Sequence, residues 1–92
     1  MLNRIYSVRG ATTADANDAT SIGERSEELV REILRLNRIG GARKIVHIVF
    51  STTDDLTAAY PATAVRLAGL TDAPLFSCKE PAVGGALPLW IR

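Results

Sequence analysis

Cysteine is nearly missing from this sequence: Cys78 stands alone, so no intrachain disulfide can brace the fold. Histidine is as scarce, and a lone His47 beside a lone cysteine makes a poor zinc site. An excess of either charge is missing too. Eleven Lys and Arg against ten Asp and Glu leave a net charge of +1, which argues against a nucleic-acid binder working through a broad basic face. No apolar run approaches the roughly 20 residues of a membrane helix. Met1 to Gly10 lacks the long apolar core of a signal peptide, so the cytoplasm is the expected location, with no membrane partner. Glycine-rich phosphate loops, metal-ligand spacings and a nucleophile elbow are also absent.

What is present is one domain's worth of chain, residues 1–92. A domain this short buries only roughly 60–65% of its unfolded surface, so its own core is small. Without disulfides or a metal, oligomerisation is the remaining common source of stability. The 47% hydrophobic content leaves apolar surface for a partner copy.

The periodicities predict the order β-α-β-α-β-β. Ile5 to Val8 is a short β-rich start, ending at Arg9-Gly10. Ala11 to Asp18 reads as a loop into a helix, with Asn17, Asp18 and Thr20 as candidate caps. From about Thr20 to Asn37, Ile22, Leu29, Val30, Ile33, Leu34 and Leu36 recur at helical spacing. Glu24, Arg25, Glu27, Glu28, Arg31 and Arg35 largely cover the other, solvated side, and Gly40-Gly41 is the expected stop. Lys44 to Ser51 is the clearest strand, and its nearly unbroken apolar run predicts burial on both faces. His47 within it reads as a sheet or interface residue. A polar turn over Ser51 to Asp55 follows. A short helix should then have Pro61 near its first turn, Ala62 to Ala68 as its body and Gly69 as its stop. Pro74 to Cys78 is another strand, with Cys78 read as a buried thiol. Gly84-Gly85 turns the chain into an extended segment, Leu87 to Arg92. This pattern fits an α+β fold, a small mixed sheet with helices packed on one face.

The chemistry left to such a sequence is arginine plus one carboxylate. Arg9, Arg66 and Arg92 lie outside the charged helix, and Glu80 follows a strand. Arginine forks pair bidentately with carboxylates, so convergence of these residues would make a site for a small dianion.

The sequence also resembles the AroH-class, Bacillus-type chorismate mutases. Four segments carry the likeness, in order along nearly the whole chain. They are Val8-Arg9-Gly10-Ala11-Thr12-Thr13, Ser51-Thr52-Thr53-Asp54-Asp55-Leu56, Tyr60-Pro61-Ala62-Thr63-Ala64-Val65-Arg66, and Glu80 with Val83-Gly84 and Leu87-Pro88-Leu89-Trp90-Ile91-Arg92. The resemblance implies a ferredoxin-like fold assembled as a homotrimeric pseudo-barrel, with active sites at subunit interfaces. It implies the rearrangement of chorismate to prephenate, with no cofactor and no metal. By the same resemblance Arg92 faces the breaking ether oxygen and a carboxylate. Arg9 binds a second carboxylate, and Glu80 accepts the substrate hydroxyl. Tyr60, Ala62, Thr63, Arg66, Leu75, Phe76 and Ser77 form the wall donated by the neighbouring subunit.

Some positions depart from the family pattern. Thr63 replaces a basic residue, Phe76 a small polar one and Ser77 a cysteine, and Pro81 follows the glutamate. The expected pocket is less cationic and bulkier on one wall. The family continues past its Ile-Arg pair with a further strand, helix, strand and tail, whereas this sequence ends at Arg92. The α-carboxylate attached to Arg92 is expected to compete for its guanidinium. Two other functions fit the same pocket: a trimeric family member that binds a small carboxylate with little or no turnover, and an enzyme on a related trimeric fold. The latter would be an enamine/imine deaminase, or a lyase or mutase acting on another chorismate-derived substrate.

Overall fold

The computed structural model describes residues 4–40 and 44–92. Gly41, part of the expected helix stop, lies outside them. The elements run β1 (Thr12–Thr13), α1 (Ala19–Leu36), β2 (Ile48–Thr52), α2 (Pro61–Leu67), β3 (Leu75–Lys79) and β4 (Trp90–Ile91).

Asp18 caps α1: its carboxylate accepts the Ser21 N–H at 2.6 Å, satisfying one of the donors that a helix start leaves open. The apolar stripe buries Ile22 and Val30, and Ser26 sits between them fully buried. Its hydroxyl donates to the Ile22 carbonyl, so no polar atom there is stranded. Glu27–Arg31, Arg25–Glu28 and Glu32–Arg35 pair along the solvated side, and Arg25 also reaches Asp15.

The helix stops before the glycines. Arg38 takes φ +52°, its N–H donates to the Arg35 carbonyl, and the Ile39 N–H reaches back to Leu34. This is a Schellman ending built without glycine at the left-handed position. α2 begins with Pro61 at its first turn, where the missing N–H costs nothing, and ends before Gly69 at φ +67°.

The sheet order is β1-β4-β2-β3. β2 and β3 run parallel, joined through α2, and the other pairings are antiparallel. Phe50, Thr52 and Ile91 face a core shared with Ile22, Val30, Leu56 and Val65. Both helices contribute to that core, so they cover one face of the sheet. The other face is open: the register partners Val49 and Phe76 are 52% and 56% exposed. The apolar run of β2 is therefore buried on one side only.

Other expectations need correction. Ile5 to Val8 is not a strand; it is exposed, and the first strand is Thr12–Thr13, fixed by pairing with Ile91 and Trp90. Residues 44–47 precede β2 without joining the sheet, and His47 is exposed with its ring edge-on to Phe76 at 6.3 Å. Cys78 is exposed on the open face rather than buried, its thiol lying 3.5 Å from the Phe50 carbonyl. Of Leu87 to Arg92, only Trp90–Ile91 is strand, because Leu89 turns left-handed at φ +61°. Among the described residues no helix is long and apolar enough to cross a membrane.

Candidate active site

Three strands converge at one end of the open face. Ser51 is on β2, the middle strand of the three. Its N–H and carbonyl exchange two backbone bonds with Arg92, each 2.8 Å. On the other side the Glu80 N–H donates to the Thr52 carbonyl at 2.8 Å, prolonging the β2–β3 ladder past Lys79. Glu80 and Arg92 thus flank Ser51 on strands that are two spacings, roughly 9.6 Å, apart. Their long side chains meet over the small serine. Arg92 Nε donates to Glu80 Oε1 at 2.6 Å, and Ser51 Oγ donates to the same oxygen at 3.2 Å.

Both protein donors use Oε1, which leaves Oε2 for a ligand hydroxyl. Arg92 spends only Nε on the glutamate, so four N–H donors on its terminal nitrogens remain for an anion. The Arg92 guanidinium lies 4.7 Å from the centre of the Trp90 ring, within cation–π range. Side-chain exposures of 49% for Arg92 and 20% for Glu80 make the pair reachable by a ligand. Among the described residues no group of three His, Cys, Asp or Glu is arranged to hold a metal ion.

Glu80 and Arg92, both expected from the sequence, are therefore brought together. Arg9 makes no ion pair with them, although its segment leads into β1, the neighbour of β4. It is exposed, three residues ahead of β1. Its neighbour Gly10 lies so close to α1 that a Cβ would come within 2.7 Å of the Ile33 Cδ1 methyl. Tyr60, Ala62, Thr63 and Arg66 sit at the start of α2 and along it. Arg66 donates to the Ala73 carbonyl at 3.3 Å and stays exposed. Phe76 and Ser77 are exposed on β3, the sheet edge, whereas Leu75 turns inward and packs partly buried against the core.

The sequence reading missed Ser51 as a site residue, and also Thr53, Asp55 and Trp90. The signal for Ser51 was alternation: Phe50 and Thr52 face the core, so Ser51 must face the other way. The Thr53 hydroxyl accepts the Trp90 N–H at 3.0 Å and donates to Asp55 at 2.6 Å. The Asp55 carboxylate also accepts the Leu89 N–H, at 3.0 and 3.3 Å. The Thr53 hydroxyl holds the Asp55 carboxyl below its ordinary range; partial burial opposes this and the Leu89 N–H reinforces it.

The chorismate mutase type I family model matches residues 5–92, nearly the whole chain. The chain belongs to the chorismate mutase type I family. Relatives agree with that placement. A chorismate mutase AroH of Thermus thermophilus is 35% identical over 88 residues, covering 96% of this chain and 72% of that protein. The Bacillus subtilis chorismate mutase AroH is 34% identical over 89 residues, covering 96% of this chain and 69% of that one. A solved chorismate mutase from Clostridium thermocellum superposes with a TM-score of 0.88 at 36% identity, covering 95% of this chain and 77% of that one. Similarity to this family thus extends from sequence to the arrangement of strands that carries Ser51, Glu80 and Arg92.

Proposed function

We propose that this family member converts chorismate to prephenate and that the Ser51–Glu80–Arg92 cluster is the centre of its active site. The rearrangement is intramolecular. The ether C–O bond breaks as a C–C bond forms, so neither a nucleophile nor a cofactor is needed. What the protein must supply is a fixed compact conformer and positive charge where the ether oxygen gains negative charge. Arg92 fills the second role with its free terminal N–H donors. Glu80, oriented by Arg92 and Ser51, accepts the substrate hydroxyl on Oε2. Arg9 binds the remaining carboxylate.

A homotrimer completes this site. The family resemblance gives the wall of Tyr60, Ala62, Thr63, Arg66, Phe76 and Ser77 to a neighbouring copy, while Arg9 precedes β1, the strand that pairs with β4 in the same chain. The small core and the exposed apolar residues Val49, Tyr60 and Phe76 support such an assembly. The observation that carries the reading is the Glu80–Arg92 pair bridged over Ser51. The test is prephenate formation by the parent and by Arg92→Ala. Loss of one aimed donor of this kind typically costs about 10²–10³ in kcat. A folded parent that leaves chorismate unchanged overturns the activity, and an Arg92→Ala variant with parental kcat moves the site elsewhere.

A further inference from the structure

Arg92 is aimed by more than its pairing with Ser51. Three residues upstream, Leu89 occupies φ +61°, a region that disfavours side chains other than glycine, asparagine and aspartate. A leucine stays there only where its surroundings hold it. Here the backbone N–H and carbonyl of both Leu89 and Trp90 have partners. The Leu89 N–H donates to both Asp55 carboxylate oxygens, and the Leu89 carbonyl accepts the Ala14 N–H at 2.8 Å. The Trp90 N–H donates to the Thr53 hydroxyl, and the Trp90 carbonyl accepts the Thr53 N–H at 3.1 Å. The Thr53 hydroxyl then donates onward to Asp55, making one connected network.

We propose that Asp55, through Thr53, is a positioning residue for the reaction: it clamps the Leu89–Trp90 bend and thereby sets where the Arg92 guanidinium points. The link from clamp to guanidinium is short. β4 is only two residues long, so the bend lies directly against the short ladder in which Ile91 pairs with Thr52 and Arg92 bonds to Ser51. Trp90, whose N–H is in the clamp, also carries the ring against which Arg92 packs. Releasing the bend lets Arg92 slide relative to Ser51 and Glu80. A displacement near 1 Å is enough to lower turnover substantially. This inference rests on the reading of Arg92 as the residue that meets the developing charge.

The full chain is assayed as parent, Asp55→Ala, Asp55→Asn and Thr53→Val, each beside Arg92→Ala. Trp90, the sole tryptophan, reports the clamp independently of activity through its near-ultraviolet circular dichroism. Asp55→Ala is expected to lower kcat at least tenfold with KM changed less than threefold, and to alter the Trp90 signal. Asp55→Asn keeps an oxygen that can accept from both Leu89 and Thr53, so it should restore the signal and keep kcat within about threefold of parent. Thr53→Val, which preserves shape and removes the relay, should fall between them, and it decides the matter if Asp55→Ala does not fold. On an Arg92→Lys background, Asp55→Ala should cost far less than on the parent, which a purely structural role would not produce. A parental kcat in folded Asp55→Ala or Thr53→Val, with Arg92→Ala impaired, overturns the clamp alone. A parental kcat in Arg92→Ala overturns the clamp together with the assignment of Arg92.

Discussion

Ile91 and Arg92 are neighbours in the chain and live on opposite faces of one sheet. Ile91 is fully buried against the helices, with Phe50 and Val65 as fellow core members. Arg92 stands on the open face, half exposed, tied to Glu80 and Trp90. The covered face is held by apolar area removed from water, which is additive and undirected. The open face is held by a few directed bonds whose geometry is set by strand register. The covered face therefore governs whether the chain folds, and the open face carries the proposed site.

Substitutions on the two faces should separate these roles. The largest stability effect belongs to the covered face. Phe50→Ala is expected to cost about 3–5 kcal/mol, with each kcal/mol lowering Tm by roughly 4–8 °C in a domain of this size. Arg92→Ala, for all its expected loss of turnover, should lie within about 1 kcal/mol of parent in thermal unfolding. If both variants melt alike, the division between faces does not hold.

Assembly comes next. Phe76→Asp places a charge in the middle of the exposed apolar stretch while leaving the core untouched. Light scattering should find the proposed trimer dissociated and turnover falling with it; a mass unchanged from parent would show that β3 lies outside the interface.

The smallest expected effect is on acid stability. The carboxyl of Asp55 titrates below its ordinary value of 3.8 in the folded state. Its contribution is thus complete above that value and fades as the pH falls through the lower folded pKa. Thermal unfolding of the parent should weaken more steeply below about pH 4 than that of Asp55→Asn, which has no proton to gain. Parallel curves would remove Asp55 as a contributor.

How much of this was legible depends on whether local chemistry or a distant partner decided each element. α1 was legible because its cap, stripe and charge pairs all lie within the segment. Its end was less so: glycines signalled a stop, yet the chain turned earlier, with Arg38 accepting the left-handed position. α2 was marked by Pro61 and Gly69. The first strand was misplaced because β propensity favoured Ile5 to Val8, whereas pairing with Trp90 and Ile91 selected Thr12–Thr13. Glu80 and Arg92 were recognisable from family-like segments. Asp55 lay inside one of those segments without any sign that its carboxylate reaches Leu89, 34 positions away.

The sequence by itself determined the order of elements, the main helix, the scarcity of metal and thiol chemistry, and the family. These follow from spacing, composition and motif, all of which are properties of neighbours along the chain. Tertiary structure alone decided which face of β2 is covered, that Ser51 lies beneath the Glu80–Arg92 pair, and that Asp55 holds the bend before β4. Each of those depends on strand register, and a shift of one residue sends every side chain of a strand to the other face.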